Sequence, residues 1–285
     1  VAPASPRESV RVVQPNIDTE RNWDAPGLAK VEQSMALLSR GGGERLIVWP
    51  EAPAPFYPSD PSFAEFVGNI ARNSGAHVLL GAVGRTPKNE PLNSAYYFNE
   101  DGMISARYDK VHLVPFGEFV PPLFSFVNRI TSEAGDFVAG DHIITFRLGA
   151  ERLGTFICYE SAFPEHVREF VKEGAGMLVN ISNDGYFGRS AARQQHLLIA
   201  RMRAAENRRW LLRATNDGIT AMIDPLGEVT ETLEPYQQVA GTFHYGIEHS
   251  TTTYTNYGDW FAWLCLASGI AICTLRQLGS RQPSQ

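Results

Sequence analysis

Apolar positions repeat along the chain with two periods, and the period changes over at turn residues. Val10–Gln14 and Arg45–Trp49 are short β-rich runs that stop at prolines. Between them, Leu28, Val31, Met35 and Leu38 recur at helical spacing within residues 24–40, and Gly41-Gly42-Gly43 ends the pattern. A second helix is predicted over Ser62–Asn73 from Phe63, Phe66, Val67 and Ile70. Strands are predicted at His77–Ala82, Ala95–Asn99 and Ile104–Asp109, with Asp101-Gly102 as the turn between the last two. The alternation then resumes with strands at Ile143–Leu148 and Arg152–Cys158, a helix at Glu165–Lys172 and a buried strand at Met177–Ile181. A helix over Ala191–Asn207 places Leu197, Leu198 and Met202 on one face. Strands at Trp210–Ala214, Ile219–Ile223, Val229–Leu233 and Gln238–Phe243 complete the body, with Asp224-Pro225-Leu226-Gly227 as a turn. Strand–helix–strand alternation followed by hairpins predicts an α/β fold with one large mixed sheet or two sheets packed together. No internal repeat is visible.

The pattern breaks near the end. Sixteen uncharged, mostly apolar residues run from Trp260 to Leu275, bracketed by Asp259 and Arg276. As a helix they span ~24 Å, against a hydrocarbon core of ~30 Å. Tyr257, Gly258 and a snorkelling Arg276 bring the segment close to spanning length, and Tyr254, Tyr257, Trp260 and Trp263 suit an interfacial belt. On length alone a buried core helix fits equally well; the lack of a polar face favours the membrane. Residues 1–8, rich in Pro and Ser, read as a linker, and His249–Tyr257, rich in Thr and Tyr, as a connector.

Composition narrows the class. The 285 residues are 44% apolar and 20% charged, which excludes disordered and low-complexity chains. A net charge of −6 leaves no broad basic field for nucleic acid. Three cysteines make no disulfide framework. The chain opens on Val1, so a preceding segment is expected.

Three residues carry candidate chemistry. Cys158 ends an apolar strand before a helix start, where backbone N–H groups and a helix N-terminus favour a nucleophile; a buried structural cysteine is the alternative. Glu51 closes Leu46-Ile47-Val48-Trp49-Pro50, at the kind of strand end where α/β sites lie, and a desolvated carboxylate there suits general-base work; the alternative is a loop acid in water. Lys110 closes a strand among aromatic and apolar residues, where it could hold an ammonium beside an oxyanion; a surface lysine is the alternative. Cys265 and Cys273 sit in the apolar tail and read as packing residues. His112 has no second His at ligand spacing and reads as structural; His196, Arg201, Arg203, Arg208 and Arg209 read as solvated or inter-helix polar groups.

Taken in order, Glu51, Lys110 and Cys158 resemble the Glu-Lys-Cys triad of the carbon–nitrogen hydrolase, or nitrilase, superfamily. Longer words resemble its apolipoprotein N-acyltransferase branch: Val48-Trp49-Pro50-Glu51, Tyr108-Asp109-Lys110 with His112 to Phe119, Ile157-Cys158-Tyr159-Glu160, Ile181-Ser182-Asn183-Asp184, Arg201 to Glu206, and Arg213 to Gly218. The resemblance implies an α-β-β-α sandwich of two mixed sheets at residues 9–248, the connector at 249–257, a C-terminal transmembrane helix at 258–277 and a tail at 278–285. It implies a bacterial inner-membrane enzyme whose catalytic domain faces the periplasm and follows further membrane helices. The implied reaction moves a fatty acyl chain from a phospholipid, through a Cys158 thioester, to the α-amine of the diacylglyceryl-cysteine of an apolipoprotein, without metal or cofactor. Glu51 is the implied base, and Lys110 with the N–H after Cys158 the implied oxyanion site. Glu118 would orient Lys110, and Tyr159 and Glu160 would shape the site. Tyr186 stands where the family usually has tryptophan; it is a lipid-contact candidate with Phe119 and Phe124, which lie in the stretch Phe116–Phe126, a candidate lid or, equally, a packed surface loop. A soluble amidase or carbamoylase with the same triad, and an inactive nitrilase-like binding module, are the competing readings.

Overall fold

The computed structural model describes residues 5–18, 23–120 and 137–279. The chain builds two sheets by the same route. In the first, β1 (Glu8–Gln14), α1 (Ala25–Leu38), β2 (Leu46–Val48), α2 (Pro61–Ser74) and β3 (His77–Arg85) alternate, so helical crossovers leave the three strands parallel. Local chemistry sets these helices: the Asp24 and Asp60 carboxylates cap the first turns, prolines stand within them, and Gly75 at φ 61° ends α2. β4 (Pro91–Phe98) and β5 (Ile104–Asp109) then return as antiparallel strands.

The second sheet starts with β6 (Thr145–Leu148) antiparallel to β7 (Glu151–Ile157). It continues through α3 (Pro164–Lys172), β8 (Met177–Ser182), α4 (Ala192–Asn207) and β9 (Trp210–Thr215), again with the strands parallel. β10 (Ala221–Ile223) and β11 (Val229–Thr232) follow as hairpin strands, and β12 (Val239–Tyr245) crosses back to pair with β1. The strand orders are β12-β1-β2-β3-β4-β5 and β11-β10-β9-β8-β7-β6.

Strand alternation divides the core. Val10, Val12, Leu46, Val48 and Leu79 meet Leu153 and Ile157 between the sheets. Val13, Ile47, Trp49, Val78 and Leu80 point the other way, onto Val31 and Met35 of α1 and Phe63 and Val67 of α2. Val167 and Phe170 of α3, with Ala200 and Ala204 of α4, cover the second sheet. Four layers result, the α-β-β-α sandwich. Each large apolar side chain so buried contributes about 1.5–3 kcal/mol.

Two expectations change. The inward face of α4 is Arg193, His196, Leu197, Ala200, Arg203, Ala204 and Asn207, while Leu198 and Met202 are exposed. The helix lies over polar strand ends, so its polar residues find partners inside. Arg203 donates to the Ser161 carbonyl, and Arg209, just beyond α4, donates to the carbonyls of Ala175 and Ser250. His196, Arg203 and Arg209 are therefore buried rather than solvated.

At the end of the chain, α5 (Thr253–Tyr257) docks on the body: the Arg168 Nε donates to the carbonyls of Tyr254 and Thr255. The following α6 (Trp260–Gly279) leaves it. Its window Trp260–Gln277 has a mean hydropathy of 1.2 and 0% of it is buried. A helix in the core of this body would be covered, and among the described residues nothing covers this one. Twenty helical residues reach ~30 Å, which is long enough to cross a membrane.

Candidate active site

The fold brings the strand ends carrying Glu51, Lys110 and Cys158 to one place between the sheets. Glu51 follows β2 on the turn Trp49-Pro50-Glu51. Its backbone lies so close to β3 that a Cβ on Gly81 would stand 2.6 Å from Glu51 Cα and 2.7 Å from the Pro50 oxygen. Glycine at 81 is therefore what lets the carboxylate seat. Lys110 follows β5 and is 1% exposed. Its ammonium donates to Glu51 Oε1 at 3.1 Å and to Glu118 Oε1 at 2.9 Å. Asn93 Nδ2 on β4 donates to the same two oxygens, at 2.8 and 2.6 Å. Two carboxylates and two nitrogen donors thus close a square. Its outer corners are held by backbone: the Asn183 N–H donates to Glu51 Oε2 and the Val114 N–H to Glu118 Oε2, both at 2.8 Å.

Burial alone would lower the Lys110 pKa. Glu51, Cys158 and Glu118 outweigh it and raise the pKa above its ordinary value, so the ammonium is fixed as a cation. Cys158 opens a 3-10 turn, Cys158–Ala162, at the end of β7, with φ at +50°. That left-handed conformation costs a non-glycine residue about 1–3 kcal/mol and puts the side chain at the head of the turn. Burial and the Glu51 charge push the thiol up to about 12, with Lys110 and a hydrogen bond to Ser182 opposing. At neutral pH the group is a thiol, and attack on a carbonyl requires a base to take its proton in the same step.

Glu160 ties the two loops together. Its Oε1 accepts from Tyr108 Oη at 2.6 Å, Val111 N at 2.7 Å and His112 N at 3.2 Å, and its Oε2 accepts from Ile157 N at 2.7 Å. Although burial raises its pKa, His166, Tyr108 and the amide donors bring it below the ordinary carboxylate value. A fully buried anion therefore pins the segment after Lys110 to the residue before Cys158. His112 stacks on Phe163 with ring centroids 4.0 Å apart, as a structural residue would.

Tyr159 is partly exposed, edge-on to Phe163. Tyr186 is 79% exposed. Partial desolvation and the fields of Glu51, Glu118 and Cys158 raise its hydroxyl pKa. Phe119 is half-buried; its carbonyl accepts from the Phe116 N–H at 2.7 Å. Phe124 and most of the candidate lid lie outside the described residues.

Sequence reasoning missed a second polar cluster behind Cys158. Asp184 accepts from Arg213 Nη2 at 2.6 Å and from Ser182 Oγ at 2.9 Å, with His196 Nδ1 3.2 Å away. Arg213 also donates to Asn180 Oδ1 at 2.7 Å. Burial opposes ionisation of Asp184, but Arg213 and His196 hold its carboxyl well below the usual range. The available signal was the polar residues inside buried strands: Asn180 and Ser182 in β8, and Arg213 in β9, where every position is buried. Among the described residues, no group of three or more His, Cys, Asp or Glu could hold a metal ion.

Comparisons with known proteins bear on the fold and the family. The amidase of Nesterenkonia sp. AN1 superposes with a TM-score of 0.63 at 19% identity, covering 88% of this chain and 96% of that one. Nit3 of Saccharomyces cerevisiae, a nitrilase-superfamily member, gives 0.66 at 19% identity, covering 85% and 91%. In sequence, the chain is 37% identical over 276 residues to the apolipoprotein N-acyltransferase of Geobacter metallireducens, covering 93% of this chain and 53% of that protein. It is 36% identical over 284 residues to the protein of that name in Methylococcus capsulatus, covering 96% and 55%. The chain thus spans about half the length of the curated relatives it matches. The model of the carbon–nitrogen hydrolase family matches residues 9–240, and with two mixed sheets that converge on Glu51, Lys110 and Cys158, the chain belongs to that family.

Proposed function

We propose that this chain is the catalytic part of a membrane enzyme that transfers a fatty acyl group from a phospholipid to the α-amine of an apolipoprotein's diacylglyceryl-cysteine. The observation that carries the reading is the buried Glu51–Lys110 pair beside a strained Cys158, in a chain whose relatives bear the name apolipoprotein N-acyltransferase. Glu51 takes the thiol proton as Cys158 Sγ attacks the ester carbonyl. The oxyanion forms against Lys110 Nζ and the Tyr159 N–H. Collapse expels the lysophospholipid alkoxide, which takes the proton back, and leaves an acyl thioester. The amine then attacks the thioester, Glu51 takes its proton, and thiolate leaves to be reprotonated. Glu118 and Asn93 hold Lys110 and Glu51 in register.

The exposed α6 supports a membrane location; the side proposed for the catalytic body is the periplasmic side of a bacterial inner membrane. Tyr186 and Phe119 are the proposed acyl-chain contacts, and an aromatic mouth that sheds water favours transfer over hydrolysis. Intact mass after incubation with phospholipid should show one acyl adduct, absent in Cys158→Ala. Turnover of small amides with no adduct from any phospholipid would overturn the reading in favour of an amidase.

A further inference from the structure

The proposed reaction needs the Tyr159 N–H to face the oxyanion, and something must aim it. The 158–159 peptide is trans, so the Cys158 carbonyl and the Tyr159 N–H point in opposite directions. Whatever holds the carbonyl aims the N–H. His196 Nε2 lies 3.0 Å from the Cys158 oxygen and Asn180 Nδ2 lies 3.5 Å from it. A carbonyl oxygen only accepts, so Nε2 carries the hydrogen in that contact. The same nitrogen lies 2.9 Å from Ser161 Oγ, inside the nucleophile turn.

The ring itself is anchored. Nδ1 faces Asp184 Oδ1 at 3.2 Å, and Asp184 is fixed by Arg213 and Ser182. Phe187 stands edge-on to the imidazole with centroids 6.1 Å apart. At the start of a helical turn the first N–H groups lack partners within the turn, so the Tyr159 donor is not consumed by the turn it opens. The positive φ of Cys158 makes the peptide orientation costly to keep without such support.

We propose that His196 is a positioning residue for acyl transfer: by holding the Cys158 carbonyl from behind, it turns the Tyr159 N–H toward the oxyanion. The inference rests on acyl transfer through Cys158, and its test separates the two. Two amide variants differ by one methylene. Gln at 196 extends a donor to about the reach of Nε2, and Asn falls short. For each, two rates at Cys158 are compared on the full chain: acylation by a p-nitrophenyl fatty-acyl ester, which builds an oxyanion, and alkylation by iodoacetamide, which does not.

His196→Asn should acylate ~10–100-fold more slowly, less than the ~10²–10³-fold cost of losing an oxyanion donor outright because the N–H is misaimed rather than removed, while alkylation stays within about threefold. His196→Gln should recover most of the acylation rate. Wild-type acylation in His196→Asn, or equal losses in both rates, would overturn the positioning role. Failure of the wild-type chain to form any acyl adduct would instead count against acyl transfer itself, and remove the role with it.

Discussion

Glu51 and Asp184 occupy matching places. Each follows the middle strand of a parallel trio, β2 in one half of the sandwich and β8 in the other, and both are buried. Their partners differ. Glu51 shares its cation with Glu118, beside a thiol whose proton must move, and receives donors from Asn93 and the Asn183 amide. Asp184 is closed off with Arg213, both at 0% exposure, and its remaining contacts are Ser182 and the ring of His196. The same topology therefore serves two electrostatic purposes. One half places excess negative charge beside the Cys158 thiol, where the proposed reaction needs a proton accepted. The other neutralises a carboxylate completely and uses it as an anchor for the nucleophile turn.

The largest expected effect lies on the first side. Glu51→Gln should lower the rate of acyl-adduct formation ~10²–10⁴-fold, the usual worth of a general base. Lys110 keeps Glu118 as counter-charge, so thermal unfolding should show a loss within about 2 kcal/mol. Asp184→Asn should do the reverse. It strands Arg213 as an uncompensated buried cation and should cost ~3–5 kcal/mol in denaturant unfolding. If Asp184→Asn left the midpoint unchanged while Glu51→Gln unfolded the protein, the division of labour would be wrong.

A smaller effect tests seating rather than charge. Gly81→Ala would push a methyl into the Pro50–Ala52 backbone and displace Glu51. Misplacement of about 1 Å typically costs up to ~10²-fold, so acylation should fall by ~10–100-fold with iodoacetamide access retained. The smallest effect concerns pH. The folded Cys158 thiol is held near 12 from an ordinary value of 9.0, so above pH 9 the unfolded chain releases this proton and the folded chain keeps it. That contribution is intact below pH 9 and is lost as pH rises toward 12. The melting temperature of the wild type should therefore fall more steeply than that of Cys158→Ala across that window; parallel curves would contradict the buried, protonated thiol.

Much of this was legible from residue order. The strand and helix runs match within a few residues, because period-2 and helical spacings follow directly from which faces are buried. Glu51, Lys110 and Cys158 stood out because each closes an apolar strand. The α4 face did not: Leu198 and Met202 carry the apolar signal yet face solvent, while Arg203 and His196 are buried. Periodicity cannot show that a helix lies over strand ends whose carbonyls and carboxylates await donors. Nor did sequence reveal that the two halves repeat one topology, because no residue pattern repeats with it.

The sequence by itself determined the elements, the three residue types proposed to react and the apolar terminal segment, all properties of local pattern and strand ends. Only the tertiary structure decided that Glu51 Oε1 meets Lys110 across 59 positions, that Asp184 is spent on Arg213, and that α6 stands uncovered. Those outcomes depend on which surfaces pack together, and packing is set by contacts between residues far apart in the chain.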